Sequence, residues 1–101
     1  MSQLIMKDIG GIIVRTQGNC GGRPRIDGRR VEVRAIVAYY HAGVSPEEIA
    51  GNFNDLDLAY VHAALAYYYL NKKALDKEFS KLEKEEAALE RDYLAALEPA
   101  R

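Results

Sequence analysis

Residues 20–33 read Cys-Gly-Gly-Arg-Pro-Arg-Ile-Asp-Gly-Arg-Arg-Val-Glu-Val. Three glycines, a proline and four arginines in so short a span exclude a helix, and the run closes on Val31 and Val33 alternating with Glu32. Gly21, Gly22 and Gly28 admit backbone angles that other residues resist. Pro24 fixes its own φ and holds Arg23 extended. The stretch is an extended or turn-rich arm that leads directly into the first helix. Its charge is one-sided: Arg23, Arg25, Arg29, Arg30 and Arg34 face only Asp27 and Glu32, a pattern that either seeks an anion or is solvated.

Upstream of the arm, Gly10-Gly11 followed by Ile12-Ile13-Val14-Arg15-Thr16 predicts a short strand. Gln17-Gly18-Asn19 breaks it, and Ile26 or residues 31–33 return to pair with it as a small two-stranded ribbon, marginal by itself. Residues 1–8 show no strong period and are expected to be loosely held.

Downstream, Val33, Ile36, Val37 and Tyr40 recur at helical spacing, and Gly43 stands where a helix C-cap prefers it. Ser45-Pro46-Glu47-Glu48 is a second start, with Ser45 as N-cap, Pro46 at the first helical position and Glu48 completing a capping box. That helix ends near Gly51-Asn52. After a turn at residues 54–57, Asp57 caps a third helix, and no Gly or Pro follows Leu58 until Pro99. Leu58, Val61, Leu65, Tyr68, Lys72, Leu75, Phe79, Leu82, Glu86, Leu89, Tyr93 and Ala96 fall on alternating three- and four-residue steps. This predicts one helix of roughly 40 residues, about 60 Å long. Lys72 and Glu86 are polar positions in its seam, able to set register, and the mixed Lys and Glu content suits an exposed amphipathic helix.

The chain has 101 residues, of which 49% are hydrophobic, enough for one small domain with a modest core. The net charge of −1 conceals a division. Residues 1–34 hold seven basic groups against three acids, so +4, and the remainder carries −5. The one cysteine, Cys20, excludes an internal disulfide and suits a reducing, cytoplasmic setting. One Cys and two distant histidines build no metal site, and no cofactor motif is present. Gly18-Asn19-Cys20-Gly21-Gly22 lacks the Lys-Ser/Thr ending of a phosphate loop. No nucleophile stands beside a base, so an enzyme is not expected. Residues 9–14 are too short an apolar run for a membrane span.

The order of these elements resembles a three-helix, homeodomain-like helix-turn-helix: helix, Gly43, Ser45-Pro46-Glu47-Glu48-Ile49-Ala50, turn, Val61-His62-Ala63-Ala64-Leu65. Together with Gly21-Gly22-Arg23-Pro24-Arg25-Ile26-Asp27-Gly28-Arg29-Arg30-Val31-Glu32-Val33, residues 10–75 resemble the domain-of-unknown-function 433 family. Its hallmark is a Gly-Gly-x-Pro-x-Ile-x-Gly-Thr-Arg-hydrophobic-x-Val string. The chain departs from it at Arg29, where the family has Thr, and at Gln17, where Pro is common. The resemblance implies an antitoxin whose toxin partner is a PIN-like nuclease.

The expected fold is mainly α: a helix-turn-helix domain with a short N-terminal β ribbon or extended arm (residues 1–75), then a C-terminal helical extension for oligomerisation or partner binding (76–101). The candidate DNA contacts are Arg23, Arg25, Arg29, Arg30 and Arg34, with Tyr60 and His62 on the third helix. The first turns of that helix carry no Arg, Lys, Asn or Gln to read a base edge, so phosphate contacts fall to the arm. Tyr39, Tyr40, Tyr67, Tyr68 and Tyr69 are read as core and interface rings in preference to a base-stacking platform. Tyr68, Leu75, Phe79, Leu82, Leu89 and Tyr93 form a stripe expected to meet a second copy in a homodimer or a foreign protein. The functional expectation is a non-enzymatic antitoxin-like protein that neutralises a nuclease toxin and binds duplex operator DNA as a dimer. The alternative is a homo-oligomeric scaffold without a nucleic-acid role.

Overall fold

The computed structural model describes residues 5–16 and 22–98. The sequence features at residues 1–4 and 17–21, Cys20 among them, lie outside the described residues. The chain divides into two compact units, Met1–Asn71 and Lys72–Arg101.

The first unit opens with β1 (Ile5–Asp8), β2 (Ile13–Thr16) and β3 (Arg25–Ile26), an antiparallel sheet in the order β1-β2-β3. β2 pairs Ile13 with Ile26 and Val14 with Arg25, the ribbon expected from the sequence. β1, expected to be loose, is a third strand instead, with Ile5 opposite Thr16 and Asp8 opposite Ile13. Its pairing follows from the tight turn between β1 and β2, where Ile9, Gly10 and Gly11 all take positive φ and the Ile12 amide donates to the Ile9 carbonyl at 3.1 Å. A turn that short brings the strands into register whatever the intrinsic pattern of β1.

The arm is a second tight reversal. Gly28, at φ +75°, lets the chain turn so that the Ile26 amide donates to the Val31 carbonyl at 2.8 Å and Arg25 bridges Glu32. The Val33 amide donates to the Pro24 carbonyl at 3.0 Å, tying the start of α1 (Val33–His41) to the arm. α1 ends in a Schellman motif: Gly43 at φ +91° donates to the Tyr40 carbonyl, and Val44 donates to that of Tyr39.

α2 (Pro46–Asn52) begins as expected, with the Glu48 amide donating to Ser45 Oγ at 3.2 Å. Asn54 and Asp55 cross the following turn with φ near +55°, a conformation their short polar side chains tolerate. Asp57 Oδ1 then accepts from the Ala59 amide at 2.8 Å to start α3 (Leu58–Leu70). α2, the turn and α3 make the helix-turn-helix. Ile13, Ile26, Val33, Ile36, Ile49, Leu56, Val61, Ala64 and Tyr68 are at most 2% exposed and form the core of this unit, where sheet, α1, α2 and α3 meet.

The single long helix predicted from Leu58 onward is interrupted. Asn71 leaves helical geometry at φ −124°, its Nδ2 donates to the Tyr67 carbonyl at 2.9 Å, and its amide bonds the carbonyls of Tyr67 and Tyr68. A side chain that bonds the backbone itself competes with the helical ladder, and α4 (Lys72–Leu97) starts afresh.

Candidate functional site

The arginines of the arm divide by what they touch. Arg23 donates through Nε and Nη2 to both Glu32 carboxylate oxygens, at 2.7 and 3.1 Å, the bidentate geometry that guanidinium favours. Arg25 is 8% exposed; it donates to Thr16 Oγ1 at 3.0 Å and to the carbonyls of Ile26 and Arg29 at 3.3 and 3.4 Å, and its Nε finds no partner among the described residues. Arg29 reaches across to the α2 C-cap, donating to the Phe53 carbonyl at 2.6 Å. Arg30 is exposed and Arg34 half-buried at the start of α1. Arg23, Arg25 and Arg29, expected as phosphate contacts, therefore bond the protein's own oxygens. Arg15, half-buried on β2, joins the same region: it donates to the Gly22 carbonyl at 3.2 Å and to the Tyr67 hydroxyl at 3.4 Å.

On α3, His62 is exposed, while Tyr60 is half-buried. Tyr60 lines a cavity of about 210 Å³ with Gly10, Gly11, Ile12, Ile26 and Asp27. Asp27 and Tyr60 are the titratable groups among these residues. Among the described residues no cluster of His, Cys, Asp and Glu is set to hold a metal ion, and no helix is long and apolar enough to cross a membrane.

The aromatic and aliphatic stripe divides as well. Tyr68, expected at a partner surface, is 2% exposed in the core of the first unit, its ring edge-on to those of His41 and Tyr69. Leu75 and Phe79, expected at the same surface, are also buried. The break at Asn71 lies between Tyr68 and Leu75, so the heptad count carried through it does not describe a single uninterrupted seam. Leu82 is half-buried. Beyond it Leu89 and Tyr93 of the expected stripe are 69% and 64% exposed, and Leu94 and Leu97, which lie off that stripe, are 54% and 61% exposed. Tyr39, Tyr69 and Leu70 add apolar exposure on the helical domain, Tyr39 with one edge against the Phe53 ring.

These features define a class: a small helix-turn-helix domain fronted by an arginine-bearing β hairpin and followed by a separate amphipathic helix. Residues 13–68 match the family model described as a protein of unknown function (DUF433). A crystal structure of a DUF433 member protein from Anabaena variabilis ATCC 29413 is 35% identical to the chain, covers 68% of each chain and superposes with a TM-score of 0.63. The chain belongs to the DUF433 family. No curated protein matches it significantly.

Proposed function

We propose that this chain is a non-enzymatic, antitoxin-like binding protein that neutralises a PIN-like nuclease by seating the outer half of α4 on it, in a cytoplasmic setting. The observation that carries the reading is the exposed run Leu89, Tyr93, Leu94 and Leu97. Each such side chain gains roughly 1.5–3 kcal/mol when it leaves water, so the run is a strong site for a protein partner. The nuclease identity of that partner follows from the family resemblance.

Binding of duplex operator DNA extends the reading. Arg30 supports it, since it is exposed on the arm, whereas Arg23, Arg25 and Arg29 are engaged within the fold. The second reading, a homo-oligomeric scaffold, is favoured by the same exposed run if a second copy covers it.

The test is co-expression. Induction of a PIN-like nuclease from the same genome arrests a bacterial host; the wild-type chain restores growth and forms a complex that survives gel filtration, and Leu89→Glu/Tyr93→Glu does neither. No protection and no complex with the wild-type chain overturns the reading. A wild-type dimer in the absence of any partner, lost in the double variant, turns it toward the scaffold.

A further inference from the structure

The charges along α4 decide what covers its apolar run, an inference that rests on the reading of that run as a partner surface. Phe79, Glu86 and Tyr93 occupy one seam position of the heptad, and Leu82, Leu89 and Ala96 the other. The flanking positions are then Glu83, Glu90 and Leu97 on one side and Glu85 and Asp92 on the other, all exposed, so that four of the five are acidic. At 100° per residue these acids stand roughly 60–100° from the centre of the seam, while Lys84 and Arg91 stand roughly 160–180° away, on the opposite face. The stretch has mixed charge when read along the sequence and is acidic along both borders of the seam when read around the helix.

A second copy cannot complement that pattern. In a parallel pair, Glu85 faces the second copy's Glu90. In an antiparallel pair, residues of like side meet, so that Glu83 and Glu90 face each other and Glu85 faces Asp92. Flanking charges set partner choice and orientation in paired helices, and like charges across such a contact oppose it. Both orientations place carboxylate on carboxylate.

We infer that the occupant of the outer seam is a helix or groove of a different protein whose apolar strip is bordered by Lys and Arg, and that it is not a second copy of this chain. The interface is apolar at its centre except at Glu86, and electrostatic at its edges. The borders steer the encounter and make it salt-dependent.

The full-length chain carrying E83K, E85K, E90K and D92K supplies a basic-bordered partner of known sequence. Each protein is measured alone and in equimolar mixture by sedimentation velocity, with far-UV circular dichroism to verify equal helicity. The pair E85K and E90K serves as a milder variant should the fourfold one lose structure. Wild type and variant are each expected to be monomeric. Their mixture is expected to form a 1:1 heterodimer at a concentration about tenfold below any self-association of either, the sum of a few exposed pairs turned from repulsive to attractive. The heterodimer is expected to dissociate as salt rises from about 0.05 M to about 0.5 M, and to be lost when wild type carries L89E. Wild-type self-association as tight as the mixture, or a mixture that stays monomeric, overturns the inference. Heterodimer formation without growth protection upholds the seam chemistry and removes the nuclease. Protection without heterodimer overturns the seam chemistry and leaves the binding function.

Discussion

Replacing Arg29 with Ala tests whether the arm is a structural brace or a nucleic-acid contact. The guanidinium is half-buried and donates to the Phe53 carbonyl at 2.6 Å, joining the arm to the C-cap of α2 across 24 residues of sequence. A hydrogen bond from a charged donor contributes about 1.5–3 kcal/mol, and a cation at a helix C-terminus adds about 0.3–1 kcal/mol. The lower end applies because Arg29 retains some solvent and water can replace it at the carbonyl. The expected loss is about 1.8 kcal/mol, a fall in Tm of roughly 7–14 °C for a domain of this size. Arg30→Ala, at an exposed position five residues from Arg25, is expected to stay within about 0.5 kcal/mol of wild type. Thermal and urea denaturation followed at 222 nm measure both. Arg29→Thr, which restores the residue usual in the family string, is expected to lose as much as Ala, since Thr cannot span to Phe53. Equal stability of the Arg29 and Arg30 variants would refute the brace, and loss of duplex-DNA binding without loss of stability in Arg29→Ala would reassign that arginine to the nucleic acid.

Ser45→Ala removes the acceptor of the Glu48 amide and is expected to cost about 1 kcal/mol in urea unfolding; a change below a few tenths would mean that water replaces the cap. Gly43→Ala places a side chain at φ +91° although nothing lies within 4 Å of its Cβ, so the expected cost of about 1–2 kcal/mol is conformational alone. An unchanged midpoint would show that the Schellman turn relaxes. Asn71→Ala removes the side-chain bond to Tyr67 and substitutes the strongest helix former. Far-UV ellipticity is expected to rise by a few helical residues, and no rise would assign the break to something other than Asn71.

The parts of this fold legible in the sequence are those fixed by neighbours in sequence. Ser45, Asp57 and Gly43 mark helix ends because each satisfies or reverses backbone within a few residues of itself. The pairing of Ile26 with Ile13 was legible as one of two choices, since β-branched runs on either side of a glycine-rich break invite it. β1 was not, because its pairing depends on the turn at Ile9, Gly10 and Gly11 and little on its own pattern. Asn71 hid inside a periodic run, where a hydrogen bond from one side chain outweighs the period. The destinations of Arg23, Arg25 and Arg29 were beyond reach for a different reason. Composition shows a cluster of cations, and only the packed chain shows that a carboxylate, a hydroxyl and several carbonyls already accept from them. In α4 the periodicity marks the exposed Leu89 and Tyr93, but the same period runs through Tyr68, Leu75 and Phe79, which are buried.

The bond from Arg29 to Phe53 has a consequence for how such positions drift over time. Its acceptor is a main-chain oxygen, which every residue at position 53 would present alike. A cation at 29 can therefore be acquired or discarded without a matching change anywhere else in the chain. The brace leaves no correlated pair for sequence covariation to detect, and a family whose string carries Thr at this point can gain an added tie between hairpin and helix in a single step.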